Sequence, residues 1–292
     1  MIIVQLIGGL GNQMFQYALG RSLADRLHVA LKLDITPFRS YKLRQYALWA
    51  LNIREDLATD REVAQARARQ RTTTFRRLRR ALVPGERRTG RFVKEQGFAF
   101  DSAALDTPDG SYLEGYWQSE KYFSESRERL RVEFSVRSPI SGVDAAIAER
   151  MKDGASVSLH VRRGDYTSNP NTARIFDVCD AAYFSRCIDY IADTVEDPRF
   201  FVFSDEPHWA AENLSIPFPT TVVGHNTAAR NYEDLRLMSL CRHHVIANSS
   251  FSWWGAWLGA DPSKVVLLPK RWFLDLDPEY TADIRPPGWI AL

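Results

Sequence analysis

The sequence predicts an α/β protein made of two doubly wound domains with parallel sheets, and three observations predict it. The chain opens as an apolar run, a glycine turn, a helix-period segment and a second apolar run, the signature of a βαβ unit. Short apolar runs alternate with helix-period segments again over residues 155–268. Between the two stretches, Ser138-Pro139-Ile140-Ser141-Gly142 has the composition of a linker.

The first strand is Ile2 to Ile7, which breaks at Gly8-Gly9-Leu10-Gly11-Asn12. Phe15, Ala18, Leu19 and Leu23 then recur at helical spacing, and Val29 to Leu33 reads as the second strand. From Arg61 to Arg91 the character changes: Arg76-Arg77, Arg79-Arg80 and Arg87-Arg88 crowd a segment interrupted by Pro84-Gly85. It reads as a solvated helical excursion and loop, or else as a basic surface that docks anionic glycan, lipid or membrane. The linker divides the chain into an expected N-terminal domain, 1–140, and a C-terminal domain, 150–292.

After the linker, Ala155–Val161 reads as a strand, Ala181–Thr194 as a helix, and Arg199–Phe203 as a strand ending in Ser204-Asp205-Glu206. Tyr232–Cys241 has apolar residues at Leu235, Met238 and Leu240, a helical period. Val245–Ala247 gives a strand, Trp254–Leu258 a helix and Val265–Leu268 a further strand. Folds of this kind bind ligands at the carboxyl ends of their strands, so the loops after strands carry the interest.

Composition narrows the function. With 292 residues, 45% hydrophobic and 25% charged, the chain is globular rather than disordered. A net charge of +2 excludes a protein that binds nucleic acid over its whole surface. Cys179, Cys187 and Cys241 have no metal-ligand spacing and read as buried thiols in a reducing compartment. No run of about 18 apolar residues is present, so no membrane span is expected. Nor does the N-terminus carry the basic region of a signal peptide, and a cytoplasmic protein is expected.

Three segments carry chemistry. His160-Val161-Arg162-Arg163-Gly164-Asp165-Tyr166 follows a predicted strand, and paired guanidinium donors suit phosphate oxygens. The alternative is an Arg–Asp pair stabilising a turn. Asn248-Ser249-Ser250-Phe251-Ser252-Trp253-Trp254-Gly255 also follows a strand; its hydroxyls and amides at a helix N-terminus would form an anion site. Its alternative is an N-cap serine ahead of core tryptophans. Gly8 to Gln13 fails the GxGxxG dinucleotide fingerprint, yet lets backbone approach a ligand, with Asn12 placed to bond a sugar hydroxyl. Metal readings are weak: Asp275-Leu276-Asp277 lies among prolines and reads as a surface turn, and adjacent His243-His244 cannot chelate as an i, i+4 pair would.

In that order the motifs resemble the α-1,2-fucosyltransferases of glycosyltransferase family 11, and more broadly the α-1,2, α-1,6 and protein O-fucosyltransferases. Gly8–Ala18, His160–Tyr166 and Ala247–Trp257 carry the resemblance, with Gly115–Phe123 as a fourth segment of bacterial type. It implies a GT-B architecture, two Rossmann-like domains facing across a cleft, the N-terminal one on the acceptor side and the C-terminal one binding the nucleotide sugar. It implies an inverting transfer of L-fucose from GDP-L-fucose to a galactose-type acceptor, with no cofactor and no metal. It places His160, Arg162 and Arg163 on the donor, with Arg162 at the scissile oxygen. Ser249, Ser250, Phe251 and Gly11 join the donor site, Asp234 reads the guanine edge, and Asn12 lies near the reaction centre. For the acceptor or the base, Glu114, Glu120 and Trp117 are the candidates, and Asp165 supports its loop. The expected setting is bacterial surface polysaccharide assembly in the cytoplasm. The acceptor there would be lipid-linked and the arginine segment in peripheral contact with the inner membrane.

Overall fold

A computed structural model describes residues 1–68, 92–163 and 179–292. The chain divides into two compact units, Met1–Ser135 and Val136–Leu292. The division falls just before the expected linker, because Ile140, Ile147, Ala148 and Met151 pack against Leu237 and Met238 of the second unit.

The first unit is a sheet of four strands in the order β2-β1-β4-β3, all pairs parallel. Its strands are β1 (Ile2–Gln5), β2 (Leu31–Asp34), β3 (Phe92–Lys94) and β4 (Tyr112–Glu114). Helix α1 (Leu10–Leu27) connects β1 to β2. It ends at His28, whose left-handed φ of 55° turns the chain back towards β2. The packing glycine absent from the opening turn is found later, at Gly20. A Cβ there would stand 2.7 Å from Leu31 Cδ1 and 3.1 Å from Val4 Cγ1, so α1 lies close on its strands because residue 20 has no side chain.

Residues 60–68 form a helix, α2, opened by a reciprocal cap: Thr59 N and Oγ1 donate to Glu62 Oε2, and Glu62 N donates to Thr59 Oγ1. This is the described part of the arginine segment; residues 69–91 lie outside the described residues. A short helix, α3 (Arg127–Glu133), closes the unit.

The second unit is a six-stranded parallel sheet, order β10-β9-β8-β5-β6-β7. The strands are β5 (Ala155–Val161), β6 (Pro198–Ser204), β7 (Thr220–Val223), β8 (His243–Val245), β9 (Val266–Leu268) and β10 (Ile290–Ala291). Its helices are α4 (Gly142–Met151), α5 (Ala181–Thr194), α6 (Pro207–Asn213), α7 (Asn231–Leu240) and α8 (Ser250–Leu258).

Strand β6 shows why its sequence is a continuous apolar run. Phe200 and Val202 enter the core under α5, whereas Phe201 and Phe203 enter a second core with α4 and α7. Helices cover both faces, so neither alternate set can be polar. Helix α5 presents Tyr183, Phe184, Cys187, Ile188 and Ile191 to the first of these cores, and Asp180 Oδ1 caps it by accepting from Tyr183 N at 2.7 Å. All three cysteines are buried, and none forms a disulfide.

Helix α8 begins four residues before the expected Trp254, and β8 lies two residues ahead of the expected Val245–Ala247. Ser249 starts the helix as its N-cap, Oγ accepting from Phe251 N. Trp253 and Trp254 are fully buried behind it, and Trp253 Nε1 donates to Ile284 O at 2.7 Å. Gly255 faces α7, where a Cβ would stand 2.8 Å from Met238 Cβ.

Candidate functional site

Each sheet reverses its direction of growth beside its first strand. In the second unit the chain runs outward from β5 through β6 and β7, then returns to the other side of β5 as β8, β9 and β10. The carboxyl ends of β5 and β8 therefore flank the switch point where open α/β sheets bind ligands. Two of the sequence motifs leave the sheet there, His160 to Arg163 after β5 and Ser249 to Phe251 after β8. The rings of His160 and Phe251 stand 5.8 Å apart, a contact between residues ninety-one positions apart in the chain.

His160 is buried, and burial with the Arg162 charge pushes its pKa down to about 3. The imidazole is neutral, and its Nδ1 has no hydrogen-bond partner among the described residues. A buried polar atom in this state suits a ligand that restores its bond. Arg162 and Arg163 diverge. Arg162 Nη1 pairs with Asp205 Oδ2 at 2.9 Å, with about a fifth of its side chain exposed. Asp205 Oδ1 accepts from Arg163 N at 3.0 Å, so one carboxylate at the end of β6 holds both arginines in place. The Arg163 guanidinium stacks 3.8 Å over the Trp209 ring and lies 3.4 Å from Glu206. Arg162 is thus held at the carboxyl end of β5 by the end of β6, while the Arg163 guanidinium turns to Trp209 and Glu206. Asp165 lies outside the described residues.

Ser249 and Ser250 open α8, so backbone N–H groups of its first turn and the helix dipole face the same edge. The capping role of Ser249 and a role in anion binding are compatible, because the accepting oxygen keeps its own proton to donate. Asp234 sits in the first turn of α7, where burial pushes its carboxyl up to about 7. Asn226 Nδ2 donates at 2.9 Å to both Asp234 Oδ1 and Asp144 Oδ1, tying the two carboxylates together. His225 Nε2, 2.8 Å from Asp144, completes this group.

In the first unit the corresponding switch point lies between β1 and β4. The turn Gly8–Asn12 and the loop Gly115–Gln118 meet there: Gln118 Nε2 donates to Asn12 Oδ1 at 2.8 Å. Gly8 needs its left-handed φ of 84°, and a Cβ on it would stand 2.7 Å from Asn12 Nδ2. Gly11 is buried at the start of α1. Gln13 and Gln16, both fully buried, bolt the turn to its surroundings. Gln13 donates to Gly8 O and Gln45 O and accepts from Ala47 N, each at 2.9 Å. Gln16 accepts from Ile7 N at 3.0 Å and donates to Gly115 O at 3.1 Å.

Of the acceptor-side candidates, Trp117 is placed differently from the expectation and Glu114 and Glu120 are ion-paired. Trp117 has 1% of its surface exposed and packs edge-on against Tyr122 at 5.5 Å, so it cannot offer a face to a sugar. Its left-handed φ of 58° turns it inward and leaves Tyr116, 39% exposed, as the outward ring. Glu114 is paired with Lys94 at 2.9 Å and Glu120 with Arg127 at 2.7 Å, which leaves each carboxylate neutralised by a cation. Residues the motifs did not single out are Asp205, Asn226, Glu95 and Gln118. Asp205 stood in view at a strand end, but its pairing needs the β5–β6 register.

The weak metal readings resolve as structure. Asp277 Oδ1 accepts from Glu279 N at 3.0 Å and caps a short 3-10 helix. His243 Nδ1 accepts from Val265 N at 3.1 Å, whereas buried His244 Nδ1 is 2.8 Å from Ser158 Oγ.

The chain is similar to known proteins over its whole length. An Escherichia coli protein named alpha-1,2-colitosyltransferase is 31% identical over 296 residues, covering 100% of this chain and 98% of its own. The O-antigen biosynthesis glycosyltransferase WbnK of Escherichia coli is 30% identical over 288 residues, with 92% and 93% coverage. Among solved structures, NodZ α-1,6-fucosyltransferase soaked with GDP-fucose superposes with a TM-score of 0.52 at 16% identity. That superposition covers 91% of this chain and 94% of NodZ and shows a shared GT-B-type fold. The model described as "Glycosyl transferase family 11" matches residues 89–292, and with the full-length relatives this shows that the chain belongs to glycosyltransferase family 11.

Proposed function

We propose that this glycosyltransferase is an inverting, metal-independent α-1,2-fucosyltransferase. It moves L-fucose from GDP-L-fucose to a galactose-type hydroxyl of a glycan during surface polysaccharide assembly. The observation that carries the reading is the cluster at the carboxyl ends of β5 and β8: neutral His160, Arg162 oriented by Asp205, and the capped N-terminus of α8. Such a cluster suits a nucleoside diphosphate. As the sugar's C1–O bond breaks, negative charge grows on the departing diphosphate, and a fixed guanidinium binds that charge more strongly than it binds the intact donor. Arg162 then supplies the positive charge for which a divalent cation would otherwise be needed. Asp234, as a carboxylate, can accept guanine N1–H and N2–H together, which selects guanine over adenine and uracil. In this reading the second unit binds the donor and the first binds the acceptor, with Asn12 beside the reacting sugar.

The names of relatives support parts of this reading: an α-1,2 linkage in the colitosyltransferase, O-antigen assembly in WbnK, and GDP-fucose in NodZ. The first of these also favours a second reading, transfer of colitose with the same linkage. A cytoplasmic protein with its arginine segment against the inner membrane and a lipid-linked acceptor fits the same setting. Among the described residues no helix is long and apolar enough to cross a membrane.

Purified protein given GDP-L-fucose or GDP-L-colitose with a β-galactoside tests the reading by mass spectrometry and linkage analysis of the product. An α-1,2-fucosyl product formed faster than the colitosyl one supports it. Preference for colitose selects the second reading, and absence of both products refutes the donor class.

A further inference from the structure

We propose that Glu95 is the general base that takes the proton from the acceptor hydroxyl, with Tyr116 as the ring against which the acceptor sugar lies. The assignment rests on the reading that the first unit binds the acceptor. Glu95 directly follows β3, so it leaves the sheet at the same edge as the Gly8–Asn12 turn and the Gly115–Gln118 loop. Its carboxylate is held by the latter: Oε2 accepts from Tyr116 N at 2.6 Å and Oε1 from Trp117 N at 2.8 Å. Gly115 makes the approach possible, since a Cβ there would overlap Glu95 Cβ and stand 2.8 Å from Oε2. Through Gln118 the same loop reaches Asn12.

Two amides orient the carboxylate without exhausting it, because its oxygens have about four lone-pair sites. Three other acidic groups among the described residues of this unit are engaged. Glu114 and Glu120 have cation partners, and Asp34, fully buried, accepts from Tyr112 Oη and Thr36. Glu95 has no cation partner among the described residues and is half-buried beside the exposed Tyr116. Burial raises its pKa above the ordinary carboxylate range although the two amides act against this, which brings a base nearer the pH at which it works. In the step itself the acceptor O–H proton passes to Glu95 as the oxygen bonds to C1 of the sugar. The C1–O bond to the diphosphate breaks with its electron pair going to GDP, and Glu95 later releases the proton to solvent.

The test compares two nucleophiles in wild type, Glu95→Gln and Glu95→Asp, with melting temperature and GDP-L-fucose affinity confirming the folded state. A galactoside needs its proton removed; azide does not. Transfer to galactoside should fall about 10²- to 10⁴-fold in Glu95→Gln. Fucosyl azide formation should stay within about threefold, as expected for a nucleophile that gives the base no proton to take. At saturating GDP-L-fucose, which takes the Asp234 titration out of the profile, the acid limb of wild-type kcat/KM for galactoside, above the ordinary carboxylate range, should vanish in Glu95→Gln. If Glu95→Gln does not fold, Glu95→Asp carries the test with the same selective loss for galactoside. Parallel loss of both reactions, or galactoside transfer within tenfold of wild type, overturns the assignment of Glu95 alone. A wild-type protein that makes neither product overturns the donor reading and this assignment with it.

Discussion

Replacing Asp234 by asparagine tests whether this carboxylate reads the nucleotide base, and its burial sets the size of the effect. Desolvation, the largest influence, lifts the carboxyl to about 7, against a donated bond from Asn226 and the His225 charge, which lower it. If only the carboxylate accepts the two guanine N–H groups, the apparent Kd is the intrinsic one divided by the ionised fraction. With a pKa of about 7, lowering pH from 8 to 6 weakens GDP-L-fucose binding about tenfold, or about 1.4 kcal/mol. The sign is opposite for folding. A group raised from 3.8 to about 7 holds its proton more tightly in the folded chain, so its contribution favours the free protein at low pH and is lost as pH rises through 7. Acid should therefore weaken the donor complex while this group's contribution to folding grows. The Asp234→Asn variant would keep the bond from Asn226 but lose a charge-assisted acceptor, worth about 1.5–3 kcal/mol, or roughly 10- to 100-fold in Kd. Calorimetric titration with GDP-L-fucose from pH 6 to 8 measures both effects, and this donor has no phosphate proton titrating in that window. Binding independent of pH in wild type, or an asparagine variant that binds as tightly, would refute the reasoning.

Two further predictions concern positioning. Asp205→Asn removes the charge that orients Arg162 while its Oδ1 keeps the bond from Arg163 N. Misplacement on the order of 1 Å lowers kcat about 10- to 100-fold, read by steady-state kinetics, whereas unchanged kcat would show that Arg162 needs no brace. Gln13→Leu strands Gly8 O, Gln45 O and Ala47 N, and should cost about 3 kcal/mol or more in urea unfolding. A loss below about 1 kcal/mol would mean those groups find other partners.

Much of the second unit is legible in its sequence for a physical reason. A strand covered on both faces must be apolar throughout, as Phe200 to Phe203 are, and a helix covering it must repeat near 3.6, as Tyr183 to Ile191 does. The start of α8 is less legible in position, since Ser249 reads as an N-cap candidate but the helical run is plain only from Trp254. The two arginines stand side by side in the sequence, yet their different directions are set by Asp205 and Trp209, more than forty residues away. Trp117 and Tyr116 are equally aromatic on paper; one left-handed residue decides which is buried. Glu95 gives no local signal at all, because its partners are backbone amides twenty-one and twenty-two positions on. Gln13 and Gln16 likewise bond carbonyls and amides that only the fold brings near.

The central claim is that Arg162, held by Asp205 at the carboxyl end of β5, stabilises the departing diphosphate in place of a metal. The most direct measurement is single-turnover transfer from GDP-L-fucose to a β-galactoside in EDTA, comparing wild type with Arg162→Ala. The account predicts full wild-type transfer without metal, and a loss of about 10²- to 10³-fold in Arg162→Ala at saturating donor. A wild-type enzyme silenced by EDTA and restored by a divalent cation, or an alanine variant of undiminished rate, would contradict it.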